Sequence, residues 1–348
     1  MILRLPFAVE RPSQGDETPF HRHIAWTVLP STTTAHMRPL KMLAVPFAVE
    51  NPTSTAVPLT VGDSTLAAIA LALENPDSPA WLPTPKEIVI KCKEHGEGPS
   101  NFSIYAPDGS DAAFIKYGPM VAMAEARTQK YIADIVNSDE KTVVLVPRVY
   151  YAFRSGRDGY TVMEHVGDED STEDDCDTVA DAVQRLRSIP SPTTSPGPVG
   201  GGILVHRFFS DHLCDVQYNS VKDLQQHINN ILAISEFPYR VDFSKEDDGQ
   251  LRLCLDDIHP RNFRKDKNGR IFAVDFGKTS FLPFAFQDLA YMDGSGFAER
   301  VGERLNHPGS QYTGILRIAS GRLYLFNNSS HGLPKSLRES IGSYDLFA

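Results

Sequence analysis

The chain has 348 residues, a net charge of −10 and 41% hydrophobic residues. This length is enough for two lobes with a cleft between them, and the composition is that of an ordinary enzyme. The acidic balance argues against nucleic acid as the main partner, because binding to a phosphate backbone needs concentrated Lys and Arg.

The cysteines and the hydropathy pattern bear on the cellular compartment. The sequence has no secretory signal and no apolar run of about eighteen residues, the length that suits a membrane-spanning helix. We therefore expect a soluble, cytoplasmic protein in a reducing environment, without a membrane partner. The four cysteines are scattered with no metal-ligand spacing, at Cys92, Cys176, Cys214 and Cys254.

Residues 1–80 are predicted to be an N-terminal extension of unclear role. Residues 5–12 (LPFAVERP) recur as residues 45–52 (VPFAVENP), but a single pair does not make a repeat architecture. Residues 63–73 resemble an apolar helix capped by Asp63 or Ser64 that packs on the next domain. For the residues before 62 three roles stay open: a cover, a dimerisation segment, or partial disorder.

Residues 86–165 have the pattern of a small sheet with one helix. Alternation predicts three strands separated by turns, and a helix follows them. Pro147 indicates an edge or an irregular start in the next strand. The predicted strands are 86–92, 101–105, 111–117, 143–153 and 159–165, with the helix at 120–136.

Residues 167–175 are strongly acidic and are predicted to be a solvated lead into a helix over 177–188, since acids are favourable at a helix N-terminus. The alternative is a site for a cationic substrate. Residues 189–202 are rich in Pro, Ser, Thr and Gly, which predicts a loop.

The most informative part of the sequence lies between residues 253 and 290. Phosphoryl transfer depends mainly on positioning and charge neutralisation, with Mg²⁺ bridging the phosphate oxygens. Mg²⁺ prefers hard oxygen ligands, so the amide of Asn262 and the carboxylate of Asp275 are its predicted ligands. Asp257, five residues before Asn262, is predicted to be the catalytic base, with Asp256 as the competing choice.

The segment between these residues supports the same prediction. Residues 266–269 (DKNG) form a turn signal, and residues 270–274 form a short apolar strand that ends at Asp275. A hairpin of this kind brings Asn262 and Asp275 close enough to share metal ions.

These motifs carry a family resemblance. The loop LDDIHPRN at 255–262, VDFG at 274–277 and DLA at 288–290 resemble the catalytic core of the aminoglycoside phosphotransferase and choline kinase family, particularly its fungal-type members. There the loop usually reads HGDLHPGN. The acid, the His-Pro pair and the Asn match, whereas the leading His and both Gly differ. The missing His affects a hydrogen bond that normally braces the loop, but removes no reacting group.

The resemblance implies an α+β, two-lobed protein-kinase-like fold, with a small antiparallel-sheet N-lobe over 81–166 and a larger, mainly helical C-lobe over 167–348. It implies ATP as the nucleotide, with GTP left open, and Mg²⁺. Lys116 then corresponds to the family's phosphate-binding lysine, and Glu125 to the ion-pair partner that holds it.

The resemblance also implies further nucleotide contacts. Backbone groups of Met163, Glu164 and His165 are expected to carry the adenine, although Met163 is equally explained by core packing. Gly96 and Gly98, placed between two predicted strands, allow backbone N–H groups to approach phosphate. Asp288 corresponds to a structural acid that caps and braces the catalytic loop.

The interval from Asp275 to Asp288 favours a small acceptor, because a protein kinase needs a longer activation segment with an Ala-Pro-Glu-like anchor. The sequence therefore predicts a small-molecule O-phosphotransferase that transfers the γ-phosphoryl group to a hydroxyl. Antibiotic, choline-like, sugar and amino-acid acceptors stay open, as does the oligomeric state. The alternatives are a nucleotide-binding pseudokinase or regulatory scaffold and, third, a protein Ser/Thr kinase.

Overall fold

An antiparallel sheet forms the first part of the fold. The computed structural model describes residues 68–341 except 97, 99, 168, 215, 293–295 and 340, and all structural statements concern these residues. The predicted repeat and the predicted caps Asp63 and Ser64 lie outside them. In chain order the elements are β1 (Ile69–Glu74), α1 (Pro85–His95), β2 (Ser100–Tyr105), β3 (Ala112–Gly118), α2 (Met123–Val136), β4 (Val144–Leu145), β5 (Val149–Ser155) and β6 (Asp158–Glu164).

The sheet has five strands in the order β1-β5-β6-β3-β2, and every neighbouring pair is antiparallel. The alternating residues Ala113, Ile115 and Tyr117 of β3 are buried in one apolar cluster. The strands predicted over 101–105, 111–117 and 159–165 are confirmed, as is the helix before residue 136. The strand predicted over 143–153 is instead two strands, interrupted around Pro147.

The strand predicted over 86–92 is wrong, because this segment is helix α1. Thr84 caps the helix and forms a capping box with Glu87, and Pro85 occupies the first turn. The helix buries Ile88, Val89 and Cys92 against the sheet, whereas Ile90 is 41% exposed. The apolar alternation was therefore coincidental, and the burial follows a helical spacing.

The helix predicted over 63–73 is also wrong where it can be described, because residues 69–74 form strand β1. This strand pairs with β5, with Ile69 opposite Ser155 and Glu74 opposite Tyr151. Backbone pairing with a sheet edge decided the conformation of an apolar segment that suits helix or strand. Strand β1, which precedes the boundary predicted at residue 81, thus belongs to the same sheet as β2, β3, β5 and β6.

Helices and short hairpins make up the second lobe. Strand β8 (Leu251–Leu255) pairs with β11 (Thr279–Pro283), while β10 (Ile271–Ala273) pairs with β9 (Phe263–Lys265) and, in parallel, with β4. The predicted hairpin is confirmed, with Gly269 at φ +75° in its turn. The elements, in chain order, are β7 (Glu169–Asp170), α3 (Cys176–Arg187), α4 (Val221–Ile234), β8 (Leu251–Leu255), β9 (Phe263–Lys265), β10 (Ile271–Ala273), β11 (Thr279–Pro283), α5 (Ala285–Met292), α6 (Gly296–Arg304), α7 (Thr313–Phe326) and α8 (Lys335–Arg338).

Helix α2 joins the cores of the two lobes. Its Met123 and Ala126 pack with Val149 of the sheet. Its Ile132 and Val136 belong to the large cluster formed with α3, β8 and β10. The elements form a two-lobed, protein-kinase-like α+β fold, as the sequence predicted. Within the described residues, none of the helices has the length and apolar character needed to cross a membrane.

Candidate active site

Lys116 lies at the centre of the candidate active site. Its Nζ is 2.7 Å from Oε1 of Glu125 on α2 and 3.1 Å from Oδ1 of Asp275. Burial disfavours the lysine charge, but the two carboxylates outweigh this effect and raise the pKa of Lys116 above its usual value. The structure therefore brings together three predicted residues from β3, α2 and the segment after β10, and keeps the lysine charged.

Asp275 has a backbone conformation that turns the chain sharply after β10. Its φ is +60° and its ψ is +73°, in the left-handed region that Asp tolerates better than most residues. Burial opposes its negative charge, but Lys116 and the backbone N–H of Gly277 lower the pKa of Asp275 below its usual value. Its side chain is about half exposed, so this carboxylate is charged and accessible.

Gly277 gives the two acids the space that they need. A Cβ at this position would lie 3.3 Å from Oε2 of Glu125 and 3.5 Å from Oδ1 of Asp275. The first separation is tight and the second is an ordinary van der Waals contact, so an alanine at this position would require the Glu125 carboxylate to move by a few tenths of an ångström.

Asn262 ties the catalytic loop to Asp275. Its Nδ2 donates a hydrogen bond to the backbone oxygen of Asp257 at 2.8 Å, and its backbone oxygen accepts from Val274 N at 2.9 Å. Its side chain is buried. Because Val274 immediately precedes Asp275, Asn262 and Asp275 lie on facing parts of one hairpin, as predicted.

The structure distinguishes the two adjacent acids of the loop. Asp256 is 1% exposed and is bound by Arg207, so it cannot reach a substrate. The carboxylate of Asp257 is partly exposed, and its Oδ2 lies 3.2 Å from Nζ of Lys278. Of the two candidates, Asp257 is the one that faces the cleft.

Sequence reasoning missed Arg207 and Lys278. Arg207 belongs to an irregular loop far from any motif, so its role depends on tertiary contact alone. The signal that could have found it is Asp256, because an acid in place of the family's glycine, in an otherwise apolar segment, needs a positive partner. Lys278 directly follows the Asp-Phe-Gly sequence, and this position could have indicated a cation that pairs with the predicted base.

A cavity of about 370 Å³ lies between the lobes at these residues. Its lining includes the predicted nucleotide residues Lys116, Glu125, Met163, Glu164 and His165, together with Asn262 and Asp275. Met163 is also buried and contacts Gln129, so core packing and cavity lining both apply to it. The proposed adenine segment and the Lys116 cluster therefore share one cavity.

Gly96 and Gly98 lie in a different context from the predicted one. Because α1 precedes them, they connect a helix to β2 and do not join two strands. Gly96 has φ +148°, and its backbone oxygen accepts a hydrogen bond from the Tyr117 hydroxyl at 3.0 Å. Neither glycine is among the described residues that line the 370 Å³ cavity. Their contact with phosphate stays a prediction.

The prediction that Asp288 braces the catalytic loop is wrong. Asp288 accepts hydrogen bonds from His307, Ser310 and Thr313, and these bonds lower its pKa although burial opposes this. The neighbouring Gln287 braces the loop instead: its side chain accepts from Leu255 N at 2.9 Å and donates to Leu255 O at 3.2 Å. The bracing function is thus shifted by one residue along α5.

The acidic segment is engaged in ion pairs. Lys265 Nζ lies 2.9 Å from Glu169 and 3.2 Å from Asp175, and Arg264 Nε lies 3.3 Å from Asp170. These ion pairs link β7 and the residues after it to β9. The segment therefore contributes to packing near the hairpin, and its ion pairs do not favour the alternative of a site for a cationic substrate.

Asn262 and Asp275 are chemically suited to Mg²⁺. One carboxylate and one amide oxygen, completed by phosphate oxygens and water, make a typical set for this ion. The charged, half-exposed carboxylate of Asp275 meets that requirement. In the described residues no group of three or more His, Cys, Asp or Glu side chains is arranged to hold a metal.

Comparisons with known proteins found matches among solved structures at low sequence identity. No protein-family model and no curated protein matches the sequence. An aminoglycoside phosphotransferase mutant in complex with ADP and hygromycin B is 13% identical, with 80% of this chain and 88% of that chain covered and a TM-score of 0.42. A macrolide 2′-phosphotransferase from Brachybacterium faecium is 12% identical, with 74% and 97% covered and a TM-score of 0.37.

A further aminoglycoside phosphotransferase, in complex with streptomycin and ATP, is 15% identical, with 73% and 100% covered and a TM-score of 0.35. The described elements themselves define a two-lobed, protein-kinase-like protein. The chain is similar to these phosphotransferases at 12% to 15% sequence identity.

Proposed function

We propose that the protein is an ATP-dependent small-molecule kinase that transfers the γ-phosphoryl group to a substrate hydroxyl. The observation that carries this proposal is the position of Lys116 between Glu125 and Asp275, in a cavity that Asn262 also lines. A charged lysine held by two acids, of which Asp275 is half-exposed, suits the binding of a nucleoside triphosphate.

Each residue then has a distinct task. Lys116 contacts phosphate oxygens, and Glu125 keeps it in place. Asn262 and Asp275 hold Mg²⁺, which when bound neutralises charge on the phosphates. Asp257 orients the acceptor hydroxyl and takes its proton while the new oxygen–phosphorus bond forms and the β,γ-bridging bond breaks, leaving ADP.

A small acceptor is supported by the chain after Asp275. Strand β11 begins at Thr279 and pairs with β8 along its whole length, and α5 begins at Ala285. Little chain is left for an activation segment that would dock a polypeptide. This favours a small-molecule acceptor over a protein acceptor.

The first test is thermal denaturation of the full chain with ATP or GTP, with and without Mg²⁺. A nucleotide at about a hundred times its Kd stabilises the folded state by about 2.7 kcal/mol. We expect stabilisation that depends on Mg²⁺. Comparison of the stabilisation by ATP with that by GTP shows which nucleotide the protein prefers. No stabilisation by either nucleotide would contradict the proposal and favour a scaffold that acts through partners.

Two variants make this test specific. Asp275→Ala should lose the Mg²⁺-dependent part of the stabilisation, because the predicted metal carboxylate is removed. Asp134→Ala is the matched control, since Asp134 is an exposed acid of α2 that pairs with Lys130. Equal Mg²⁺-dependent stabilisation of both variants would show that Asp275 does not hold the metal.

A further inference from the structure

A second cavity, of about 420 Å³, adjoins the first one. Asn101, Lys116, Glu125 and Asp275 line both cavities, so the two meet at the Lys116 ion pairs. The first cavity extends from there toward residues 163–166. The second extends in another direction, to Asp257 and Lys278, so it contains the predicted catalytic base.

The charged side chains of the second cavity are paired with one another. Lys116 is paired with Glu125 and Asp275, and Lys278 is paired with Asp257. These five are the charged side chains among the described residues that line it. All of them belong to the proposed phosphoryl-transfer machinery or contact it directly. The cavity therefore offers no further carboxylate for a cationic group of an acceptor.

An irregular loop of the large lobe forms the apolar wall. Val205 and Leu213 face each other in an antiparallel bridge, which is extended by hydrogen bonds from Cys214 N to Leu204 O at 3.0 Å and from His206 N to His212 O at 2.8 Å. The bridge holds Val205 and Leu213, with Ile203 beside them, at the cavity as partly exposed side chains. This wall is fixed by backbone pairing.

The small lobe contributes apolar side chains to the cavity as well, beside the polar Ser100, Asn101 and Tyr117. Met120 is 59% exposed, and Val121 and Ala122 follow it into α2. A thioether side chain that is flexible and exposed adapts to apolar ligands of different shapes. An acceptor whose hydroxyl reaches Asp257 thus has apolar side chains of both lobes around the rest of the molecule.

We propose that the second cavity is the acceptor site and that it takes an uncharged, mainly apolar alcohol. This inference rests on the proposed function and names its substrate class. Contact with the wall removes apolar surface of the acceptor from water, which favours binding. An ammonium group placed against the same wall would lose hydration without gaining a carboxylate partner.

The test compares matched acceptors with the full chain and Mg²⁺-ATP. The neutral set consists of straight-chain primary alcohols from hexanol to octanol, cyclohexanol and geraniol. The cationic set consists of the same straight-chain alcohols with a terminal amine. Phosphorylated product is measured by mass spectrometry. We expect kcat/KM to rise about fourfold for each added methylene of the neutral set, and to be lower for each amino alcohol than for its neutral counterpart.

A substitution in the wall should reverse this preference. Val205→Asp places a carboxylate at a partly exposed position, so it should lower kcat/KM for octanol by about tenfold and raise it for the amino alcohol. The affinity for Mg²⁺-ATP should be unchanged. Ile234→Asp is the matched control, because Ile234 is 56% exposed at the end of α4 and lines neither cavity.

The outcomes separate the two proposals. If the natural chain does not bind Mg²⁺-ATP, the proposal that it is a phosphotransferase is overturned. Intact nucleotide binding, combined with faster turnover of the amino alcohols or with no product from the neutral set, would overturn the apolar acceptor. If Val205→Asp does not fold, Leu213→Asp tests the same wall. An unchanged preference of this variant for neutral over amino alcohols would also overturn the proposal of an apolar acceptor.

Discussion

Arg207 holds Asp256 through both its backbone and its side chain. Arg207 N donates to Oδ2 of Asp256 at 2.9 Å, Nε lies 2.5 Å from Oδ1, and the guanidinium also donates to the backbone oxygen of Asp256. Asp256 immediately precedes the proposed base Asp257. Arg207 belongs to the same loop as Val205 and Leu213, so one segment both holds Asp256 and lines the proposed acceptor cavity.

Arg207→Ala should therefore destabilise the protein strongly. It leaves the carboxylate of Asp256 buried without its cation, and breaking such a pair costs about 3 to 5 kcal/mol of unfolding free energy. Chemical denaturation measures this loss. Arg185→Ala is the control, because Arg185 lies 3.7 Å from the carboxylate of the well-exposed Asp139 and such pairs are worth less than about 1 kcal/mol.

Combining Arg207→Ala with Asp256→Gly should recover part of that stability. The double variant removes the unpaired charge. Glycine is chosen because the resembling family has glycine at this position. A double variant no more stable than Arg207→Ala alone would show that the buried charge is not the cause of the loss.

Asp257→Asn should separate nucleotide binding from turnover. The amide keeps the size of the side chain but cannot take a proton, so kcat should fall by a factor of about a hundred to ten thousand. Affinity for Mg²⁺-ATP should stay close to that of the natural chain. Steady-state kinetics and nucleotide titration measure the two quantities. Unchanged kcat would refute the role of Asp257 as the base.

Glu125→Gln should weaken nucleotide binding through Lys116. Glu125 is the closer of the two acids that bind the lysine, and it helps to raise the pKa of Lys116. A hydrogen bond between charged groups is worth about 1.5 to 3 kcal/mol, so KM for ATP should rise about tenfold or more. Asp134→Asn on the same helix should leave it unchanged; an equal effect of both substitutions would argue against a specific role of Glu125.

His227 should make the protein less stable in acid. Its ring contacts the Tyr218 hydroxyl at 2.6 Å and the His331 backbone oxygen at 2.9 Å, and burial lowers the pKa of His227 to about 4. The unfolded chain takes up this proton near pH 6.5 but the folded chain does not, so stability falls as the pH falls between these values. The loss reaches roughly 2 to 3 kcal/mol by about pH 4.5.

Denaturation curves at about pH 7.5 and 4.5 test this pH dependence. His227→Gln should lose less stability between the two conditions than the natural chain does, because its side chain does not titrate. His95→Gln, which changes an exposed histidine at the end of α1, should behave like the natural chain. Equal losses in all three proteins would exclude His227 as the source.

The relative positions of the proposed catalytic residues were predictable because short intervals in the sequence separate them. Asn262 follows Asp257 at a fixed interval, and a turn signal with a short apolar strand leads to Asp275. Since the hairpin is closed by neighbouring residues, its geometry follows from local turn and strand preferences. Lys116 and Glu125 were predictable for a similar reason, because a strand and the helix after it place them on adjoining elements.

Two elements were mispredicted where local preference was ambiguous. Residues 86–92 contain apolar residues at spacings that suit either a strand or a helix, and the cap at Thr84 with packing of Ile88 on the sheet selected the helix. Residues 69–74 became a strand because the side of β5 that faces away from β6 offered backbone partners. Local sequence carries no information about which surface is available for packing.

The sequence by itself therefore determined the class of the chain and the residues of the proposed chemistry, since these depend on short intervals and on residue type. Only the tertiary structure showed that Asp256 is buried whereas Asp257 lines the cleft, that Gln287 and not Asp288 binds Leu255, and that Val205 and Leu213 line the same cavity as Asp257. Burial and ion pairing between residues far apart in the chain are the physical reason, because Arg207 binds Asp256, and Val205 lines the same cavity as Asp257, only in the folded protein.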